Sequence, residues 1–182
     1  MLLLAAAREE LGDLEGEVVG VGPIVAAARS AAILARVRPE RVGLVGTGGS
    51  YAGGPAVGTA VVSRTLGMSY GVATMGLGYV PRAPPPCEAD HAMMSALDLE
   101  PHNILTVSAV TTDTQLAERL SDGWTVEHLE AFSVALACRE AGIPFVAVLG
   151  ISNTVGSDAH IQWLTNRDAA QQAARDAIAP LL

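Results

Sequence analysis

The run Pro144–Ile151, PFVAVLGI, carries no charged and no polar side chain. A strand that is apolar on both faces must be covered on both faces, so it belongs inside a sheet flanked by helices. Before it, Glu127–Arg139 carries Leu129, Phe132, Val134, Leu136 and Cys138. That stretch is apolar around nearly its whole circumference and reads as a helix buried within a domain, closed by Gly142 and Pro144. After it come Ser152, Asn153 and Thr154, three polar residues at a strand's end. In open α/β sheets ligands bind at the carboxyl ends of strands. Glu130, read as helical, has Ser133, Val134 and Ala137 as its neighbours on one face. A carboxylate there requires partners, because burying it alone is costly. Glu130 and Asn153 are therefore candidates for one shared site.

The remaining chain supplies strands and helices in alternation. Leu2–Ala6 reads as a short buried strand, and Arg8-Glu9-Glu10 behind it is either a solvated turn or part of a site. Val18–Val21 reads as a second strand, and Pro23 opens a helix over Ile24–Arg36. Arg41–Val45 is a third strand that breaks into a glycine-rich loop from Gly46 to Gly54. Its spacing is neither a Walker loop nor a dinucleotide fingerprint; it is a turn or a ligand cradle. Strands are expected over Ala56–Ser63 and Met68–Thr74, then an irregular Gly- and Pro-rich loop over Gly76–Pro86. A short helix over Asp90–Leu97 and a strand over Asn103–Val110 follow. Asp113 or Thr114 caps a helix running to Leu120. A C-terminal helix over Asp158–Ala179 carries Ile161, Leu164 and Ala169 on one side. Some strands join directly, so the expected fold is α/β: a three-layer α/β/α domain with a central mixed sheet, one domain over residues 1–182.

The formal net charge of -8 argues against nucleic acid or an anionic membrane as partner. Only 16% of residues are charged, which implies surface covered by other subunits and predicts a homo-oligomer, a dimer or higher. The opening MLLLAAAREE lacks the basic start of a signal peptide. No apolar run reaches the ~20 residues that span a bilayer. Two cysteines make no disulfide framework, and a reducing cytoplasm is expected. His91, His102, His128 and His160 lack metal-ligand spacing, so no metal and no cofactor are expected. His128 reads as a surface or supporting residue.

The order GVGP, GTGGSY, PAVGTAVVS, TVSAVTTD, HLEAFSVALACREAGIPF and GISNTVG resembles the nucleoside phosphorylase and nucleosidase superfamily. The C-terminal third is most similar to the futalosine hydrolase branch. There Leu129–Ala135, Ala141–Phe145 and Ile151–Gly156 with Trp163 stand where that branch has its signature runs. The resemblance implies the phosphorylase/hydrolase-like fold and a small-molecule nucleoside as ligand. It also implies hydrolysis through an oxocarbenium-like sugar, in which ribose, leaving base and nucleophile must all be held.

Residue by residue, the resemblance places Glu130 on the ribose hydroxyls with Leu129 beside it. Asn153 falls at the leaving base, with Ser152 in support, and Glu10 at the water. Ser63 falls near the same place, and Gly46, Gly48 and Gly49 fall on the sugar- or phosphate-facing loop. An Asn at the base position holds a 6-oxopurine by donating to one ring atom and accepting from another; it cannot hand over a proton. Leu44 stands where phosphorylases often carry Arg, which favours water over phosphate as nucleophile. Thr59, Ser50 and Gln115 depart from the family pattern. The aromatic that would stack on the base is sought in Trp124, Tyr79 or a neighbouring subunit. The expected function is a 6-oxopurine nucleosidase of the futalosine type, a step of menaquinone biosynthesis. A phosphorylase, a methylthioadenosine/S-adenosylhomocysteine-type nucleosidase and a catalytically silent nucleoside-binding protein are the alternatives.

Overall fold

A computed structural model describes residues 1–182. Eight strands form one mixed sheet: β1 (Leu2–Ala5), β2 (Glu17–Val18), β3 (Val42–Ser50), β4 (Ala60–Met68), β5 (Cys87–Glu88), β6 (Pro101–Thr106), β7 (Val126–His128) and β8 (Phe145–Thr154). The path runs β2-β1-β3-β7-β6-β4-β5, and β8 pairs with both β3 and β4. The pairings β3-β8-β4-β6-β7 and back to β3 therefore trace a closed circuit. Helices cover it: α1 (Arg8–Leu11), α2 (Pro23–Val37), α3 (Gly71–Thr74), α4 (His91–Ser95), α5 (Thr114–Leu120), α6 (Ala131–Glu140) and α7 (Ala159–Ile178).

The double-sided burial expected of Pro144–Ile151 is realised residue by residue in β8. Phe145, Ala147, Leu149 and Ile151 join a core with Ile33 and Leu34 of α2 and Phe132, Val134 and Cys138 of α6. Val146 and Val148 alternate to the other face, against Met93 of α4 and Ala174 and Ile178 of α7. This is the period-two pleat of a central strand. Leu44 is fully buried in the first core.

Several element boundaries differ from the sequence reading, each for a tertiary reason. The buried helix begins at Ala131, because Val126–His128 adds as a strand to the free ends of β3 and β6. Glu130 is thus the residue that enters α6 and does not sit on its flank. The glycine run from Gly46 to Ser50 is the second half of β3, paired with β8. Its glycines admit the protein's own groups: a Cβ on Gly48 would stand 2.9 Å from Val126 Cγ1, and one on Gly49 2.9 Å from Asn153 Nδ2. The chain turns only at Gly53, where φ is 78°. Where two strands were expected around Ser63 and Met68 there is one, β4. Its register shifts between Ser63 and Leu66, and Arg64 and Thr65 turn out to bond Asn103 and Glu88. Thr74 belongs to α3. On α7 the buried face is Ala159, Ala170, Gln171, Ala174 and Ile178, whereas Ile161 and Leu164 are exposed.

Candidate active site

A cavity of about 590 Å³ opens at the carboxyl ends of β1, β3 and β8. Its walls bring together Glu10, Leu129, Glu130, Ser152, Asn153, Gly48 and Gly49.

Glu10 reaches the cavity because β1 ends at Ala5 and the chain coils at once into α1. Its Oε2 accepts from the backbone N–H groups of Ala6 at 2.9 Å and Ala7 at 3.2 Å, and its Oε1 from Thr47 N at 3.3 Å. Burial pushes its pKa up and the Glu130 carboxylate adds to that, while His128 and the Ala6 and Ala7 N–H groups pull it down. A carboxylate poised in this way suits a general base.

Glu130 stands at the start of α6. Its Oε1 accepts from Gly22 N at 2.7 Å, at a position where φ is 89°. Burial raises its pKa to about 7, with the Gly22 N–H opposing. The helix's first N–H groups do not rely on it. His128 Nδ1 accepts from Glu130 N and Ala131 N, both at 3.0 Å, and Thr106 Oγ1 accepts from Phe132 N at 2.8 Å. His128 is buried, not a surface residue, and desolvation lowers its pKa to about 4. Its Nδ1 lies 3.3 Å from Glu130 Oε2, but an Nδ1 that accepts two N–H groups carries no proton. The contact is therefore no ion pair.

The register of β3 and β8 shifts after Gly48, which pairs with Ile151, while Gly49 pairs with Asn153. Ser152 is the extra residue. In a regular strand Ser152 and Asn153 would face opposite sides; the bulge turns both toward the cavity. Ser152 Oγ lies 2.8 Å from Asn153 Oδ1, and Asn153 Nδ2 donates to Thr154 O at 3.0 Å. The Thr154 carbonyl only accepts, so the NH₂ must face it, and the amide's orientation is fixed. One N–H and one lone pair remain for a ligand.

The outer wall is α7, with His160, Trp163, Arg167 and Gln171. Trp163 Nε1 donates to Thr47 Oγ1 at 3.2 Å. The His160 ring stacks on it with centroids 5.9 Å apart, and the Arg167 guanidinium lies 5.1 Å from its ring centroid. Glu127 accepts from Tyr51 Oη at 2.8 Å and Thr111 N at 3.0 Å, which ties the 107–113 loop and its Val110 to the cavity rim.

Two expected contacts lie elsewhere. Ser63 is fully buried in the sheet, where its hydroxyl accepts from Ala147 N at 2.9 Å. Gly46 is covered by two residues of the cavity wall: a Cβ there would stand 3.0 Å from Glu10 Oε1 and 3.3 Å from His128 Nε2. Of the tryptophans and tyrosines, Trp163 lines the cavity. Trp124 packs behind the sheet against Gly67, and Tyr79 is 84% exposed on the Pro-rich loop. His128, Glu127, Thr47, Arg167 and Gln171 also line the cavity, and none of them is a site candidate in the sequence. Only the nearness of His128 to Glu130 in the chain could have signalled one of them.

The family model described as the phosphorylase superfamily matches residues 16–182. The futalosine hydrolase of Thermus thermophilus is 30% identical, the match covering 96% of this chain and 92% of that protein. A 5'-methylthioadenosine/S-adenosylhomocysteine nucleosidase of Exiguobacterium sp. is 27% identical, with 84% of this chain and 73% of that protein covered. In fold, the chain matches the crystal structure of the corresponding nucleosidase from Neisseria meningitidis in complex with methylthio-immucillin-A. The TM-score there is 0.84 at 19% identity, over 100% of this chain and 98% of that one.

Proposed function

The chain belongs to the phosphorylase superfamily and is an N-glycosidic hydrolase within it, and on that premise we propose that its substrate is a purine nucleoside with a 6-oxo base, futalosine-like. The observation that carries this reading is the Asn153 amide, held in one orientation at the cavity wall by Ser152 and Thr154. Its free N–H and lone pair match an acceptor and an N–H on a 6-oxopurine. A purine with a 6-amino group leaves more readily when a side chain hands it a proton, and an amide has none to give. Glu130 would accept from the ribose hydroxyls with the lone pairs that Gly22 leaves free. Glu10 would take the proton of the attacking water as the sugar becomes oxocarbenium-like.

Base release from inosine and adenosine, followed by ultraviolet absorbance with and without phosphate, tests the reading. We expect hypoxanthine release in phosphate-free buffer with a kcat/KM above that for adenine. Preference for adenine would favour the methylthioadenosine-type reading, which the Exiguobacterium relative supports. A strict need for phosphate would make the chain a phosphorylase.

A further inference from the structure

We infer that His128 orients the hydrolytic water, donating to it through Nε2–H while Glu10 accepts its proton. The inference rests on the reading above that the chain is a hydrolase with Glu10 at the water. Nothing in that reading uses the imidazole.

The tautomer follows from the backbone. Nδ1 receives two N–H groups, from Glu130 and Ala131, so a neutral ring keeps its proton on Nε2. A helix N-terminus aimed at Nδ1 also opposes a second proton on the ring. The other edge of the ring faces Glu10. Nε2 and Glu10 Oε1 lie 3.3 Å and 3.0 Å from the point where a Cβ on Gly46 would stand. The missing side chain of Gly46 is what lets the two groups converge over β3. A fixed N–H donor beside a carboxylate acceptor, both lining the cavity, is the pair that a single water needs to be held in one orientation. Its second lone pair then points at the sugar.

The step balances without titrating the imidazole. A water O–H bond breaks and its proton goes to Glu10. The oxygen bonds to the anomeric carbon, and the carbon–nitrogen bond breaks with its electron pair leaving on the base. His128 keeps its proton throughout. The charged and titratable groups around the ring are Glu10 on α1 and Glu130 at the start of α6. Glu127 on β7 is held by Tyr51 and Thr111. From α7, Arg175 bonds the Glu10 carbonyl, and His160, Arg167 and Asp168 line the outer wall.

Two substitutions separate the two edges of the ring. His128→Asn keeps an acceptor for the α6 N–H groups and removes the Nε2–H. His128→Gln keeps a donor near Glu10 and releases the helix. We expect H128N to melt close to wild type with KM nearly unchanged and kcat lower by roughly tenfold or more. The acid limb of its pH profile should move to higher pH. H128Q should melt lower yet retain more kcat than H128N. Wild-type kcat and an unmoved profile in H128N, or H128Q no more active than H128N, would overturn the inference. Nitrogen-15 spectra of the imidazole give an arm that needs no turnover: Nε2–H throughout pH 5.5–8 is expected, and an Nδ1–H ring overturns the inference. If wild type releases no base at all, the hydrolase reading fails. Carbon-13 titration of Glu10 then decides this one, an upward shift in H128N supporting it and an unchanged titration overturning it.

Discussion

Residue 153 carries the proposed choice of base. In N153D, Ser152 can still donate to one carboxyl oxygen, but the other faces the Thr154 carbonyl that Nδ2 now satisfies. Two acceptors facing one another favour the protonated acid, which can pass a proton to a leaving purine. We expect N153D to gain adenine release relative to hypoxanthine release by tenfold or more (~1.4 kcal/mol); an unchanged ratio of kcat/KM values would show that the base is read elsewhere. Glu130 carries a cost that can be measured. Its folded pKa, about 7, lies above the ordinary 4.5, so the native state binds the extra proton. Its contribution is full below about pH 4.5 and lost as pH rises through 7. His128 works in the opposite sense. Its folded value of about 4 lies below the ordinary 6.5, so stability is full above 6.5 and lost as pH falls toward 4. E130Q can still accept from Gly22 N and can donate to His128 Nδ1. We expect it to be nearly inactive yet more stable than wild type at pH 8 by about 2–3 kcal/mol, the gap closing toward pH 4. Thermal melts across that range check it, and equal melting at pH 8 would contradict a raised Glu130.

At the scale of elements, the site depends on strands and a helix pressed closer than ordinary side chains allow. A Cβ on Gly150 of β8 would stand 1.8 Å from Ala170 O of α7. G150A must therefore lift the helix that carries Trp163 and Arg167. We expect a loss of about 2–3 kcal/mol or more together with weaker substrate binding, read by denaturant unfolding and KM. S63A separates sheet from site. Without the hydroxyl, Ala147 N is left unpaired in the sheet, which costs about 1–3 kcal/mol, while kcat should stay at the wild-type value. A large fall in kcat with little loss of stability would return Ser63 to the site. The β-bulge at Ser152 explains why alternation could not be read at the end of β8. The sequence shows two polar neighbours, and only the partner strand decides that both face one way.

For the whole molecule, low charge points to partners, and the apolar side chains of Val21, Ile24 and Val110 lie exposed. Val21 and Val110 line the cavity itself. Sedimentation velocity should find a species of at least twice the 18.7 kDa protomer; a protomer-sized species at micromolar concentration would refute the oligomer. No helix is long and apolar enough to cross a membrane. Composition and pattern by themselves determined the α/β class, the doubly covered strand over Pro144–Ile151 and the helix capped by Asp113 or Thr114, because burial on both faces and local capping are written in consecutive residues. Family resemblance in the Glu130 and Asn153 runs named four of the residues that line the cavity, Leu129, Glu130, Ser152 and Asn153. Only the tertiary structure decided that Val126–His128 is a strand, that the glycines lie inside β3, and that Trp163 and not Trp124 stands in the wall. It alone turned His128 inward, against a helix end and toward Glu10. Strand pairing, register and ring tautomer are set by groups far away in the chain, and no local pattern of side chains records which of them will meet.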